Sequence, residues 1–173
     1  MKIKYQTKFH KLKSRTKIPY PVGARMTKTM NKVKDMADNL RRIFPADSLP
    51  LNGDDKPQLI FNVRGSSGAI LSGLITPFLT EYEVVINYIR KGGERHHGSD
   101  DIFLNEAYPW IILDDFVDSG ETVNDIYNKM VGDYHGHEYP MRLDCLIVSG
   151  EVHQSKLAFN PDNIIAGNYF RTI

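Results

Sequence analysis

Two adjacent carboxylates, Asp114 and Asp115, follow the apolar run Trp110-Ile-Ile-Leu113. Phe116 and Val117 come next, then the polar turn Asp118-Ser-Gly-Glu-Thr122. Paired acids suit sugar hydroxyls or a divalent cation. They repel phosphate and so cannot bind it directly. The turn has the opposite chemistry. Small residues before a helix expose backbone N–H groups at the positive end of the helix dipole, which is a cradle for phosphate. Gly120 lets the backbone come close, and Ser119 and Thr122 add hydroxyls. Acids at one end and an anion loop at the other imply a phosphorylated sugar. A plain N-cap explains Asp, Ser and Thr before a helix, but a cap needs no further carboxylates on a strand end.

A second stretch has the same construction. Leu59–Val63 is apolar, Arg64-Gly-Ser-Ser-Gly68 is small and polar with one fixed positive charge, and residues 69–75 are helical in character. It reads as a second anion site, with Arg64 and Gly65 at its start.

These sites need a scaffold. The run Trp110–Leu113 reads as a strand buried on both faces. After the turn, Val123, Ile126, Tyr127, Met130 and Val131 recur at helical spacing. Further strands are expected at 59–63, 83–89, 142–148 and 164–166. Strand–helix units with buried strands predict an α/β fold, a doubly wound and mostly parallel five-stranded sheet. Ligands of such sheets bind beyond the carboxyl ends of the strands. Met26, Met30, Val33, Ala37, Leu40 and Phe44 fall on one face of a helix over 27–44, which Pro45 ends. Two units are expected, a basic arm with this helix at 1–44 and the α/β domain at 45–173.

The stretch Trp110–Thr122 resembles the phosphoribosyl pyrophosphate (PRPP) motif of the type I phosphoribosyltransferases: four apolar residues, two acids, two apolar residues, then Asp-Thr/Ser-Gly-x-Thr. It matches without a gap. The resemblance covers residues 58–170 and is specific in this loop. It implies a Rossmann-like phosphoribosyltransferase fold and Mg²⁺-dependent transfer of ribose 5-phosphate from PRPP to a nucleobase nitrogen, with release of pyrophosphate. By resemblance Asp114 and Asp115 hold the ribose hydroxyls and the metal. Asp118, Ser119, Gly120, Glu121 and Thr122 hold the 5′-phosphate. Arg64 and Gly65 face the pyrophosphate, and Asp118 handles a proton on the nucleophile. Arg90-Lys91 resembles the start of the closing loop in the orotate and adenine members, which places Arg90 and Lys91 at the pyrophosphate. The tail Asn160–Gly167 is similar to that of the 6-oxopurine enzymes. Ser149 stands where those enzymes have a lysine, and Asn168-Tyr-Phe170 replaces their Asp-Tyr, so hypoxanthine or guanine is not implied.

Other features bound the reading. Residues 90–105 form a long glycine-containing loop, and its His96 and His97 have no Cys/His partners nearby in sequence, so they read as solvated rather than metal-binding. The single cysteine, Cys145, sits in an apolar run and allows no internal disulfide, which suggests a cytoplasmic setting. No apolar run reaches the roughly 18–20 residues of a membrane span, and the basic start lacks the apolar core of a secretory signal. Residues 1–34 carry eleven Lys or Arg and no acid, while the rest carries eleven basic and 21 acidic residues. Such an arm docks on the acidic body or a second subunit, or binds nucleic acid. A homodimer is expected. Two further readings stay open: a non-catalytic PRPP sensor whose arm binds nucleic acid, and an enzyme of this fold acting on another substrate.

Overall fold

The computed structural model describes residues 22–90, 107–133 and 143–166. The basic arm before residue 22, Lys91, His96, His97, Arg142 and the tail beyond Ala166 lie outside the described residues.

Helix α1 spans Val22–Ile43. It starts earlier than its apolar stripe indicates, because Gly23, Ala24 and Arg25 contribute nothing to the pattern. Its Val33, Met36, Ala37 and Leu40 are buried. The Phe44 amide still donates to the Leu40 carbonyl at 2.8 Å, and Pro45, which has no N–H, ends the ladder. Strand β1 (Gln58–Val63) leads into α2 (Gly65–Ile75), and β2 (Glu83–Tyr88) follows. After them come β3 (Trp110–Asp114), α3 (Glu121–Asp133), β4 (Cys145–Val148) and β5 (Asn163–Ala166).

The five strands form one sheet in the order β2-β1-β3-β4-β5, and every pairing is parallel. The three central strands are buried along their whole length, as a parallel sheet covered on both faces requires. Strand alternation divides their side chains between two cores. Leu59, Phe61, Val63, Ile111, Leu113 and Ile147 pack with α1 and α2. Ile60, Ile112, Leu146 and Val148 pack with Val123, Ile126 and Met130 of α3 on the other face. Strand β4 is shorter than the apolar run suggests. Asp144, at its start, is occupied otherwise: its carboxylate accepts the Trp110 amide at 2.9 Å.

The chain leaves β1 toward one face and β3 toward the other, although the two strands are neighbours. Their carboxyl ends therefore diverge. This is the switch point at which doubly wound sheets open a crevice. Among the described residues, no helix is long and apolar enough to cross a membrane.

Candidate functional site

The loop after β1 is shorter than expected. Only Arg64, in extended conformation, separates the strand from α2, which begins at Gly65 rather than at residue 69. The chain turns this sharply because Gly65 adopts φ +69°, where a side chain would strain the backbone. No side-chain hydrogen bond caps the helix, so its first-turn N–H groups point beyond the sheet edge. A Cβ at Gly68 would come 2.6 Å from the Leu113 carbonyl oxygen, so this glycine seats α2 directly on β3. Arg64 does not stand alone: its guanidinium pairs with the carboxylate of Asp125, on α3 across the switch point.

The acid pair lies where expected. Asp114 ends β3 and is only 6% exposed. Burial, which strips water from the ionised form, pushes its pKa up to about 7. The neighbouring Asp115 charge adds to this, while the Asp115 amide, donating to the Asp114 carboxylate at 2.9 Å, opposes it. Asp115 is half-buried. The backbone here is zipped to the chain leaving β4. The Asp114 and Asp115 carbonyls accept the Ser149 and Gly150 amides at 3.2 and 2.6 Å. Val117 donates to Glu151 and accepts from His153, each at 3.0 Å.

The loop Asp118–Thr122 closes early, since α3 begins at Glu121 rather than Val123. Ser119 accepts the Glu121 amide at 3.3 Å, an ordinary first-turn cap. Gly120 adopts φ +78°, and a Cβ there would overlap the Lys156 carbonyl oxygen. Asn124 explains that contact. Its amide donates to the same carbonyl at 2.9 Å and its oxygen accepts the Ala158 amide at 2.8 Å, tying the first turn of α3 to residues 156–158.

These parts line one cleft of about 650 Å³: Arg64 and Gly65, Asp114 and Asp115, Asp118–Thr122, and Arg90 among the remaining lining residues. Every sequence-predicted site residue except Lys91, which is outside the described residues, lines this cleft. A second hollow of about 450 Å³ shares Asp115, Phe116 and Asp118 and adds Val117, Gly150, Glu151 and His153. His153 Nδ1 stands 3.8 Å from the Asp118 carboxylate.

Sequence reasoning missed Asp125, Asn124, Glu151 and His153. No local signal links Asp125 to Arg64, or Asn124 to Lys156, across such separations. Glu151 and His153 did have one: they follow the carboxyl end of β4, where ligands of such sheets bind. The acid pair also fits a hard divalent cation. Magnesium takes one or two protein carboxylates and leaves the other positions to substrate oxygens and water. Among the described residues no three His, Cys, Asp or Glu side chains gather to hold a metal without such help.

No protein-family model and no curated protein matches the sequence. Solved structures do match in shape. A hypoxanthine phosphoribosyltransferase of Trypanosoma cruzi superposes with a TM-score of 0.58 at 15% identity, over 82% of this chain and 77% of that one. A hypoxanthine-guanine phosphoribosyltransferase of Bacillus anthracis gives 0.54 at 13% identity over the same shares. The T. cruzi enzyme in complex with its product IMP gives 0.52 at 15%, over 80% of this chain and 71% of that one. With its parallel sheet order and its crevice between β1 and β3, the chain has the type I phosphoribosyltransferase fold.

Proposed function

We propose that this chain is a Mg²⁺-dependent phosphoribosyltransferase that moves ribose 5-phosphate from PRPP to a nucleobase nitrogen and releases pyrophosphate. One observation carries the reading: the carboxylate pair and the phosphate-cradling loop line a single cleft at the switch point of the sheet.

The N–H groups at the start of α3, with the Ser119 and Thr122 hydroxyls, take the 5′-phosphate at the positive end of the helix. Asp114 and Asp115 accept hydrogen bonds from the ribose hydroxyls. The first turn of α2, with Arg64 and the Arg90-Lys91 pair, takes the pyrophosphate and stabilises the charge that grows on it as the C1–O bond breaks. Asp114 and Asp115 would hold Mg²⁺, which when bound would supply neutralisation of that leaving charge. Asp118 is well exposed beside the second hollow, where it can take the proton from the attacking nitrogen. A homodimer belongs to this reading.

The test is pyrophosphate release from PRPP and Mg²⁺ with a panel of nucleobases, one at a time. Release with a single base establishes the activity and names the acceptor. A second reading, a non-catalytic PRPP sensor whose arm binds nucleic acid, is favoured by the eleven uncompensated basic residues within 1–34. No release with any base, while PRPP still raises the melting temperature, selects it. Deleting residues 1–25 should then abolish salt-dependent binding to DNA or RNA.

A further inference from the structure

Beyond β3 and β4 two short extended segments run side by side. Val117 donates to the Glu151 carbonyl and accepts the His153 N–H, each at 3.0 Å, which pairs Val117 with Val152 in parallel register. Side chains in such a pair alternate between two faces. Val117 is buried and Val152 packs against the same core, so both point inward. Asp118 and His153, each one residue further on, therefore share the outward face, and both line the second hollow. The backbone register, rather than one rotamer, sets these two side chains beside each other.

The register is held from beyond the pair as well. The His153 carbonyl accepts the Lys156 amide at 2.9 Å, and Asn124 of α3 donates to the Lys156 carbonyl at 2.9 Å. On this fixed base the two side chains keep room to move: His153 is 53% exposed and Asp118 77%. Nδ1 of His153 stands 3.8 Å from an Asp118 carboxylate oxygen. That is longer than a hydrogen bond, and a small rotation of either side chain closes the gap. Bonds around a catalytic base are often long in the free enzyme and tighten once substrate is bound. Among the described residues no other side chain donates to the Asp118 carboxylate, and His153 is the one lining residue of the hollow whose side chain carries an N–H. A base that turns freely loses much of its advantage, so bases are commonly oriented by a third group.

We propose that His153 is the positioning residue for Asp118: its Nδ1–H donates to one carboxylate oxygen and leaves the other facing the attacking nitrogen. A carboxylate neighbour selects the tautomer with the hydrogen on Nδ1. The inference rests on the phosphoribosyltransferase reading, in which Asp118 takes the proton of the acceptor. In that step the acceptor nitrogen forms its bond to C1 of the ribose and the C1–O bond breaks. Pyrophosphate leaves with the electron pair, and the N–H proton passes to Asp118. His153 gives up no proton.

The test separates binding from chemistry. PRPP affinity is measured by calorimetry with Mg²⁺. The single-turnover rate of pyrophosphate release is measured at saturating PRPP with adenine, hypoxanthine, guanine, uracil or orotate, whichever supports release. His153→Phe keeps a flat ring and removes the donor. It should leave PRPP affinity and the melting temperature unchanged and slow the turnover about tenfold or more, a part of the roughly 100-fold or more that a positioned base contributes. His153→Asn places an amide N–H where Nδ1–H stood and should restore most of the rate. An unchanged rate in His153→Phe overturns the proposal, and so does an equal loss in His153→Phe and His153→Asn, or a loss that follows PRPP affinity or melting temperature. A parent protein that releases no pyrophosphate with any of these bases is a different result: it brings down the phosphoribosyltransferase reading, and this inference with it.

Discussion

The two strand-to-helix turns of the cleft share a construction and differ in what surrounds them. After β1 the chain needs one residue, Arg64, before α2 begins at Gly65. After β3 it runs six residues, from Asp115 through Gly120, before α3 begins. Both turns depend on a glycine at positive φ. At Gly65 there is open space where a side chain would go, so conformation alone demands glycine; at Gly120 the Lys156 carbonyl also fills that space. Among the described residues, the first turn's side-chain brace is its arginine, which reaches Asp125. The second is zipped to the chain beyond β4 by hydrogen bonds from both its strand end and its helix start. On the proposed function, a loop that must hold carboxylates and an anion cradle in fixed relation is built rigidly on a neighbouring segment. A loop that offers only donors and one cation needs less.

The largest effect should come from removing the chemistry that only the second turn has. Asp114→Asn with Asp115→Asn should weaken PRPP binding by calorimetry about 100-fold or more, since each carboxylate makes charge-assisted bonds worth about 1.5–3 kcal/mol. The melting temperature should not fall. Unchanged PRPP affinity would contradict the assignment of the acid pair.

The two glycines sharpen the comparison directly. Gly120→Ala combines a left-handed side chain with overlap on a backbone carbonyl and should cost about 3 kcal/mol in denaturant unfolding. Gly65→Ala meets only the conformational penalty and should cost about 1 kcal/mol. Equal costs would show that the Lys156 contact yields easily and that the β3 turn is no more rigid than the β1 turn.

Asp114 gives the second turn a pH signature that the first lacks. Its folded pKa is raised from 3.8 to about 7. A carboxyl that holds its proton more tightly when folded contributes stability that is full below about pH 4. That contribution is lost as pH rises toward 7. Asp114→Asn removes the slope. The variant should unfold with nearly the same stability across that window, and at pH 8 it should exceed the parent by about 2–4 kcal/mol. The same carboxylate then costs stability at the position where the proposed function needs it, a trade-off common at functional sites. A parent protein with no loss of stability between pH 4 and pH 7 would contradict the burial argument.

What could be read from the chain follows the same division. The stretch Trp110–Thr122 was legible because its meaning is local: an apolar strand, two acids, a glycine turn and a helical stripe in one window. The buried strands were legible for the same reason, as continuous apolar runs. Both helix starts were placed too late, at 69 instead of 65 and at 123 instead of 121. Gly, Ser and Glu at a helix start look like loop, because small polar residues favour turns and caps over helix interiors. The brace beyond β4 and the Arg64–Asp125 pair were not legible at all. Each joins residues far apart in sequence, and only the closed sheet brings them together.

That pair is the subtlest difference between the turns. The Asp125 side chain is nearly half exposed and Arg64 is largely buried, so the bridge is partly screened and should contribute less than about 1 kcal/mol to stability. Its consequence for the cleft is larger. A guanidinium bonded to a carboxylate is partly neutralised, and an incoming anion must compete with Asp125 for it. Asp125→Asn should therefore leave stability nearly unchanged and tighten binding of inorganic pyrophosphate severalfold, read by calorimetry, while Arg64→Ala should weaken it. Weaker pyrophosphate binding in Asp125→Asn would mean the reverse: Asp125 holds the Arg64 fork in position, and the first turn, like the second, owes its geometry to the neighbour that grips it.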